Sequence, residues 1–138
     1  MLNENDGDYM KKHLVFVYGT LQKDGSNDHF LEHATYIEQR CYVEGQLYDT
    51  GWGYPALVLD KESWVIGELY EISTSELEQL DELEDFVENR ADNLYDRISV
   101  TVHTTNSKVE AFVYMMRIKK SHFVSILEND WIKYIHNH

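Results

Sequence analysis

Leu14, Val15, Phe16, Val17 and Tyr18 form an unbroken apolar run rich in β-branched and aromatic residues. Such a run predicts a short central strand buried in the core. It stops at Gly19, and Thr20, Leu21 and a polar stretch (QKDGSND, 22–28) follow. A strand ending at glycine lets the backbone turn and leaves N–H groups pointing beyond it, a nest suited to carboxylates and oxyanions. Glycine also closes ordinary strands, so this position alone does not define a site.

Tyr36 to Asp49 (YIEQRCYVEGQLYD) largely alternates and reads as strand, with Gly45 marking a bulge or a close backbone approach. Thr50 to Ala56 (TGWGYPA) is a turn cluster. Ala56 to Asp60 and Trp64 to Ile72 predict two more strands, joined as a hairpin by Asp60–Ser63. Gly67 lies inside the second, where packing is close or a ligand approaches. Leu94 to His103 and Lys108 to Arg117 both alternate and predict an antiparallel pair. Asp28 to Ala34 predicts a short helix, and Trp131, Ile132, Tyr134 and Ile135 predict another near the C-terminus.

The main helix is expected from Ser73 to about Val87. Ser73 with Glu76, or Ser75 with Glu78, supplies a capping box, and Leu77, Leu80 and Leu83 an apolar stripe. Positions 77, 80, 81 and 84 are spaced i, i+3, i+4, i+7 and share one face. Two of them are carboxylates, Asp81 and Glu84. A carboxylate turned toward a core is costly unless bonded, and its pKa rises. Groups of that kind are enriched at functional sites. The alternative is an acidic helix whose last turn points to water.

Strands outnumber crossover helices, which disfavours a doubly wound parallel sheet. The expected class is α+β: a small mixed, mainly antiparallel, barrel-like sheet with one main helix and short peripheral helices. Residues 1–9 (MLNENDGDY) are acidic and unpatterned and are expected to form a mobile extension before a single domain over 10–138.

Charge narrows the partners. The chain of 138 residues carries a formal net charge of -13. Nucleic acid and anionic membrane surfaces both require surplus Lys and Arg, so neither is expected. An anionic small molecule would need local backbone donors to hold it against the global field. Cys41 is the single cysteine, which excludes an internal disulfide and points to a reducing, cytoplasmic compartment. No histidine adjoins it in sequence, so a small buried hydrophobe is its expected role. His29, Glu32 and His33 spell H-x-x-E-H, which on a helix would put two zinc ligands on one face. No third ligand stands at a recognisable spacing, so two surface histidines and no metal are expected. Nothing in the pattern speaks to oligomeric state.

Five stretches then fall in order: VYGTL at 17–21, YPA at 54–56, GELYEI at 67–72, LDELE at 80–84 and LYDR at 94–97. Together they resemble the gamma-glutamylcyclotransferase-like family, nearest its gamma-glutamylamine cyclotransferase branch, over roughly residues 10–117. The resemblance implies a small mixed barrel. It implies backbone N–H groups at Tyr18, Gly19, Thr20 and Leu21 that hold substrate, with Glu84 as general acid/base. Tyr54 and Tyr95 are candidate wall residues. The implied substrate is a small gamma-glutamyl amine or peptide, closed to 5-oxoproline with release of an amine, without metal or organic cofactor. A non-catalytic module that binds a carboxylate on the same fold is the competing class. Many family members follow the glutamate with glycine; here Asp85 stands there. A second carboxylate next door is expected to lift Glu84 further or to mark a changed pocket rim.

Overall fold

The computed structural model describes residues 11–137, so the expected extension over 1–9 lies outside the described residues. The strands are β1 (Lys12–Val17), β2 (Thr35–Glu44), β3 (Gln46–Asp49), β4 (Pro55–Val58), β5 (Trp64–Ser73), β6 (Asp96–His103), β7 (Lys108–Met115) and β8 (Val124–Ser125). Among the described residues two α-helices accompany them, α1 (Thr74–Leu83) and α2 (Trp131–Asn137).

Five strands close a barrel in the order β1-β5-β2-β6-β7. Neighbours run antiparallel except where β1 meets β7 in parallel, at Val15 and Phe112. The remaining strands form a second sheet, β4-β3-β8. Inward residues of the barrel strands, among them Phe16, Cys41, Val43, Val65, Leu69, Val102 and Val113, pack as one core. The opposite faces of β1 and β5 are covered as well. Val15, Val17, Tyr70 and Ile72 pack there against Leu77 and Leu80 of α1 and against Leu21 and Leu31. Burial on both faces explains why Leu14–Tyr18 reads as a continuous apolar run rather than an alternation.

Several boundaries depart from the pattern. The stretch 36–49 is two strands in two sheets, parted at Gly45, where an added Cβ would lie 3.1 Å from the Leu57 side chain. The expected hairpin across Asp60–Ser63 does not form: β4 pairs with β3, and β5 pairs with β1 and β2. The segment 59–63 instead carries the chain from one sheet to the other. Gly67 serves close packing, since a Cβ there would lie 2.3 Å from the Val17 carbonyl oxygen. The 28–34 segment yields only a 3-10 turn, Asp28–Leu31. β8 went unpredicted, because two exposed residues leave no periodicity to read.

The capping box is the Ser73 one. The Ser73 side chain accepts from the Glu76 N–H, and the Glu76 carboxylate accepts from the Ser73 N–H at 2.8 Å. The helix ends at Leu83 rather than near Val87. Asp85 adopts a left-handed backbone, φ 51°. The Phe86 N–H then reaches back to the Asp81 carbonyl at 2.8 Å and the Asp85 N–H to the Glu82 carbonyl at 3.1 Å, a Schellman stop.

Candidate active site

A cleft of about 330 Å³ opens where β1 ends, beside the C-terminal end of α1. That volume suits a small molecule. Tyr18, Gly19, Thr20, Leu21, Glu84 and Tyr95, the residues singled out from sequence, all line it, as does Tyr54. Its walls also include Pro55, Leu83 and Leu94, which stood in the sequence motifs without a site role, and Asn27 and Tyr114, which the sequence did not single out.

Glu84 is the C-cap residue of α1 and is half-buried. Leu77 and Leu80 on the same face anchor the helix in the core, and the turn after Asp81 brings Glu84 to the cleft. Burial pushes its carboxyl up to about 7. The negative end of the helix dipole acts in the same direction. Among the described residues no ion pair reaches it. Asp85 is not what raises it: that side chain is largely exposed and lies 3.4 Å from the Arg90 guanidinium. The neighbouring carboxylate therefore shapes the rim and the helix stop, contrary to the expected effect on Glu84.

Asp81, the other inward carboxylate, is bound on both oxygens. It accepts from the Tyr114 hydroxyl at 2.6 Å and pairs with Arg97. Arg97 lies in turn over the rings of Phe86 and Phe112. Four tyrosines feel the charge of Glu84: Tyr18, Tyr54, Tyr95 and Tyr114. Burial first, with that charge among the lesser causes (for Tyr114 behind its hydrogen bond to Asp81), drives their phenols up, so they remain protonated donors. Tyr18 donates to the Tyr114 carbonyl and Tyr95 to the Pro55 carbonyl at 2.7 Å, which fixes both rings.

The turn after β1 is stitched to itself. The Gln22 N–H donates to the Gly19 carbonyl and the Asn27 N–H to the Thr20 carbonyl, at 3.1 and 2.8 Å. The Asn27 amide also donates to the Thr20 hydroxyl at 3.0 Å. These bonds use the carbonyl side of Gly19 and Thr20. Among the described residues, the N–H groups of Gly19, Thr20 and Leu21 have no protein acceptor. Gly19 owes its identity to packing rather than to a left-handed φ: a Cβ there would lie 2.8 Å from the Pro55 ring. The Tyr54–Pro55 bond is trans.

Other sequence candidates fall outside the cleft. His29 and His33 are exposed, and the 3-10 turn ends before His33, so the helical face that a zinc motif needs is not built. Cys41 is fully buried in the barrel, its thiol pushed up to about 12 by burial first, which leaves it inert. Tyr114 could have been found from the alternation of β7, where Ala111, Val113 and Met115 point into the barrel. Asn27 carried no signal beyond its place in a polar turn. Among the described residues no helix is long and apolar enough to cross a membrane.

Comparison with known proteins identifies the family and agrees with the fold. The family model described as "Gamma-glutamyl cyclotransferase, AIG2-like" matches residues 15–133. A protein of Halalkalibacterium halodurans, provisionally named a gamma-glutamylcyclotransferase, is 40% identical over 101 residues, 72% of this chain and 88% of its own. The gamma-L-glutamyl-butirosin B gamma-glutamyl cyclotransferase of Niallia circulans is 34% identical over 121 residues, 87% of this chain and 76% of its own. The crystal structure of YkqA from Bacillus subtilis superposes with a TM-score of 0.73 at 28% identity, covering 90% of this chain and 41% of that longer one. Fold and sequence similarity converge: the chain belongs to the gamma-glutamyl cyclotransferase, AIG2-like family.

Proposed function

We propose that the protein cyclises the gamma-glutamyl group of a gamma-glutamyl amine or peptide to 5-oxoproline and releases the amine, with Glu84 carrying the protons. The observation that carries this reading is that Glu84, without an ion-pair partner among the described residues and pushed up to about 7 by burial, lines the same cleft as Gly19, Thr20 and Leu21, whose N–H groups have no protein acceptor there.

In the reaction the α-amine of the substrate attacks its own γ-carbonyl carbon. One C–N bond forms and the scissile C–N bond breaks. Two of the three α-ammonium protons end on the leaving amine, which departs as an ammonium. Nucleophile and electrophile share a molecule, so catalysis reduces to holding the folded conformer, moving protons and stabilising an oxyanion. A carboxylate near 7 takes the ammonium proton at neutral pH and returns it to the departing nitrogen. The turn N–H groups orient substrate oxygens, and the fixed phenols of Tyr18 and Tyr95 form the wall behind them. Nothing in this sequence of proton transfers calls for a metal or an organic cofactor.

A screen of gamma-glutamyl amines and peptides for 5-oxoproline release tests the proposal. Release from at least one class, abolished in Glu84→Gln, supports it. Tight binding of those compounds or of 5-oxoproline without any release supports the carboxylate-binding module instead.

A further inference from the structure

Glu68 on β5 is a buried carboxylate outside the cleft, only 7% exposed. Its side chain points to the outer face of the barrel, beneath the turn that follows β1. One oxygen accepts from the Lys23 N–H at 2.8 Å and from the Tyr70 hydroxyl at 3.1 Å. The other accepts from the Tyr36 hydroxyl at 3.2 Å. Among the described residues no cation pairs with it. A carboxylate taken out of water without a cation needs several good donors to persist there.

The identity of one donor gives Glu68 a second consequence. Residues 19–27 are bonded mostly to themselves, through the Gln22–Gly19, Gly25–Gln22 and Asn27–Thr20 hydrogen bonds. Leu21 packs into the core and Gly19 against Pro55, but among the described residues the Lys23–Glu68 bond is the one hydrogen bond that ties this turn to a strand. The same turn lines the cleft with Gly19, Thr20 and Leu21, whose N–H groups have no acceptor among the described residues. Fixing Lys23 adds a directional restraint to that packing, as the supporting residues of a preorganised site do.

We propose that Glu68 is a positioning residue: through its bond to the Lys23 N–H it holds the turn that presents the Gly19–Leu21 donors to substrate. Its kinetic consequence rests on the cyclotransferase reading. Its effect on the turn does not.

The test compares three variants of the whole chain. Glu68→Met removes every acceptor. Glu68→Gln keeps a carbonyl for Lys23. The double variant Tyr36→Phe/Tyr70→Phe removes both phenols and keeps the carboxylate. Glu68→Met should weaken 5-oxoproline binding and raise KM for the best gamma-glutamyl substrate by about tenfold or more. Its kcat should stay within about threefold, the split expected when binding groups lose alignment. Amide hydrogen exchange at Lys23 and Asn27 should quicken by at least about tenfold. Glu68→Gln should recover most of each loss. The tyrosine variant should melt lower but keep native KM and exchange. If Glu68→Met does not fold, Glu68→Asp keeps the charge, loses the reach to Lys23, and must show the same pattern. Native 5-oxoproline affinity and native exchange in Glu68→Met or Glu68→Asp would overturn the proposal. So would a tyrosine variant that raises KM as much as Glu68→Met. If the native chain releases no 5-oxoproline from any compound, the cyclotransferase reading fails, and exchange at Lys23 and Asn27 still decides the role of Glu68.

Discussion

Asp81 and Glu84 sit three residues apart on one face of α1, yet Asp81 is bound on both oxygens and Glu84 has no ion-pair partner among the described residues. One helix face thus carries a structural carboxylate and a poised one. Arg97 and Tyr114 make the difference, and both come from strands on the far side of the sequence.

That contrast predicts opposite stabilities. Arg97→Met leaves Asp81 half-buried without its cation and removes the guanidinium from between Phe86 and Phe112. A fully buried pair broken on one side costs more, but this one is partly solvated, so a loss of about 1–3 kcal/mol is expected. Denaturant unfolding of the variant measures it. An unchanged midpoint would show that Asp81 does not need Arg97.

Asp85→Gly should leave stability equal or raise it by roughly 0.5–1 kcal/mol. Asp85 holds a left-handed backbone at the C′ position of α1, where glycine carries no Cβ penalty. The exposed contact with Arg90 that it gives up contributes little. A thermal melt checks this. A clear drop would mean that the Asp85 side chain itself holds the helix end.

Gly19→Ala sets a methyl group against the Pro55 ring, 2.8 Å from its Cγ. Neither proline nor the strand end yields easily, so a loss of about 1–3 kcal/mol is expected. The displaced turn should also bind 5-oxoproline more weakly, read by backbone amide shifts centred on Tyr18–Leu21. Native stability together with native binding would contradict this packing argument.

Much of this was legible in the sequence, for identifiable reasons. β1 announced itself because both of its faces are buried, and α1 because Ser73 and Glu76 form a reciprocal cap. The spacing of Glu84 to Leu77 and Leu80 allowed the inner face but equally an outward last turn, and only the family resemblance singled the residue out. Pairing between strands was not legible: nothing local shows that 55–58 joins β3 rather than β5, because that choice is made by the second sheet. The fate of Asp81 was hidden for the same reason. Its partners, Arg97 and Tyr114, lie 16 and 33 positions away. The helix stop was hidden because aspartate seldom marks a left-handed C′ position as plainly as glycine does.

Stability should depend on pH through Glu84 in a defined sense. Its folded pKa, about 7, lies above the ordinary value of 4.5, so the folded state holds that proton more tightly. The resulting stabilisation is complete below about 4.5 and is lost as pH rises through about 7. Comparing native protein with Glu84→Gln by denaturant unfolding at pH 5 and pH 8 isolates this contribution. The native protein should lose on the order of 1–3 kcal/mol relative to the variant across that interval. Parallel behaviour of the two proteins would show that Glu84 is as well solvated folded as unfolded.

The central claim is that Glu84 moves the protons of the cyclisation. The initial rate of 5-oxoproline release at pH 7, in native protein and in Glu84→Gln confirmed as folded by its melt, tests it most directly. The rate should fall by about a hundredfold or more, the size of a general-base contribution, with no loss of melting temperature. Release at the native rate from the well-folded variant would contradict the assignment of Glu84.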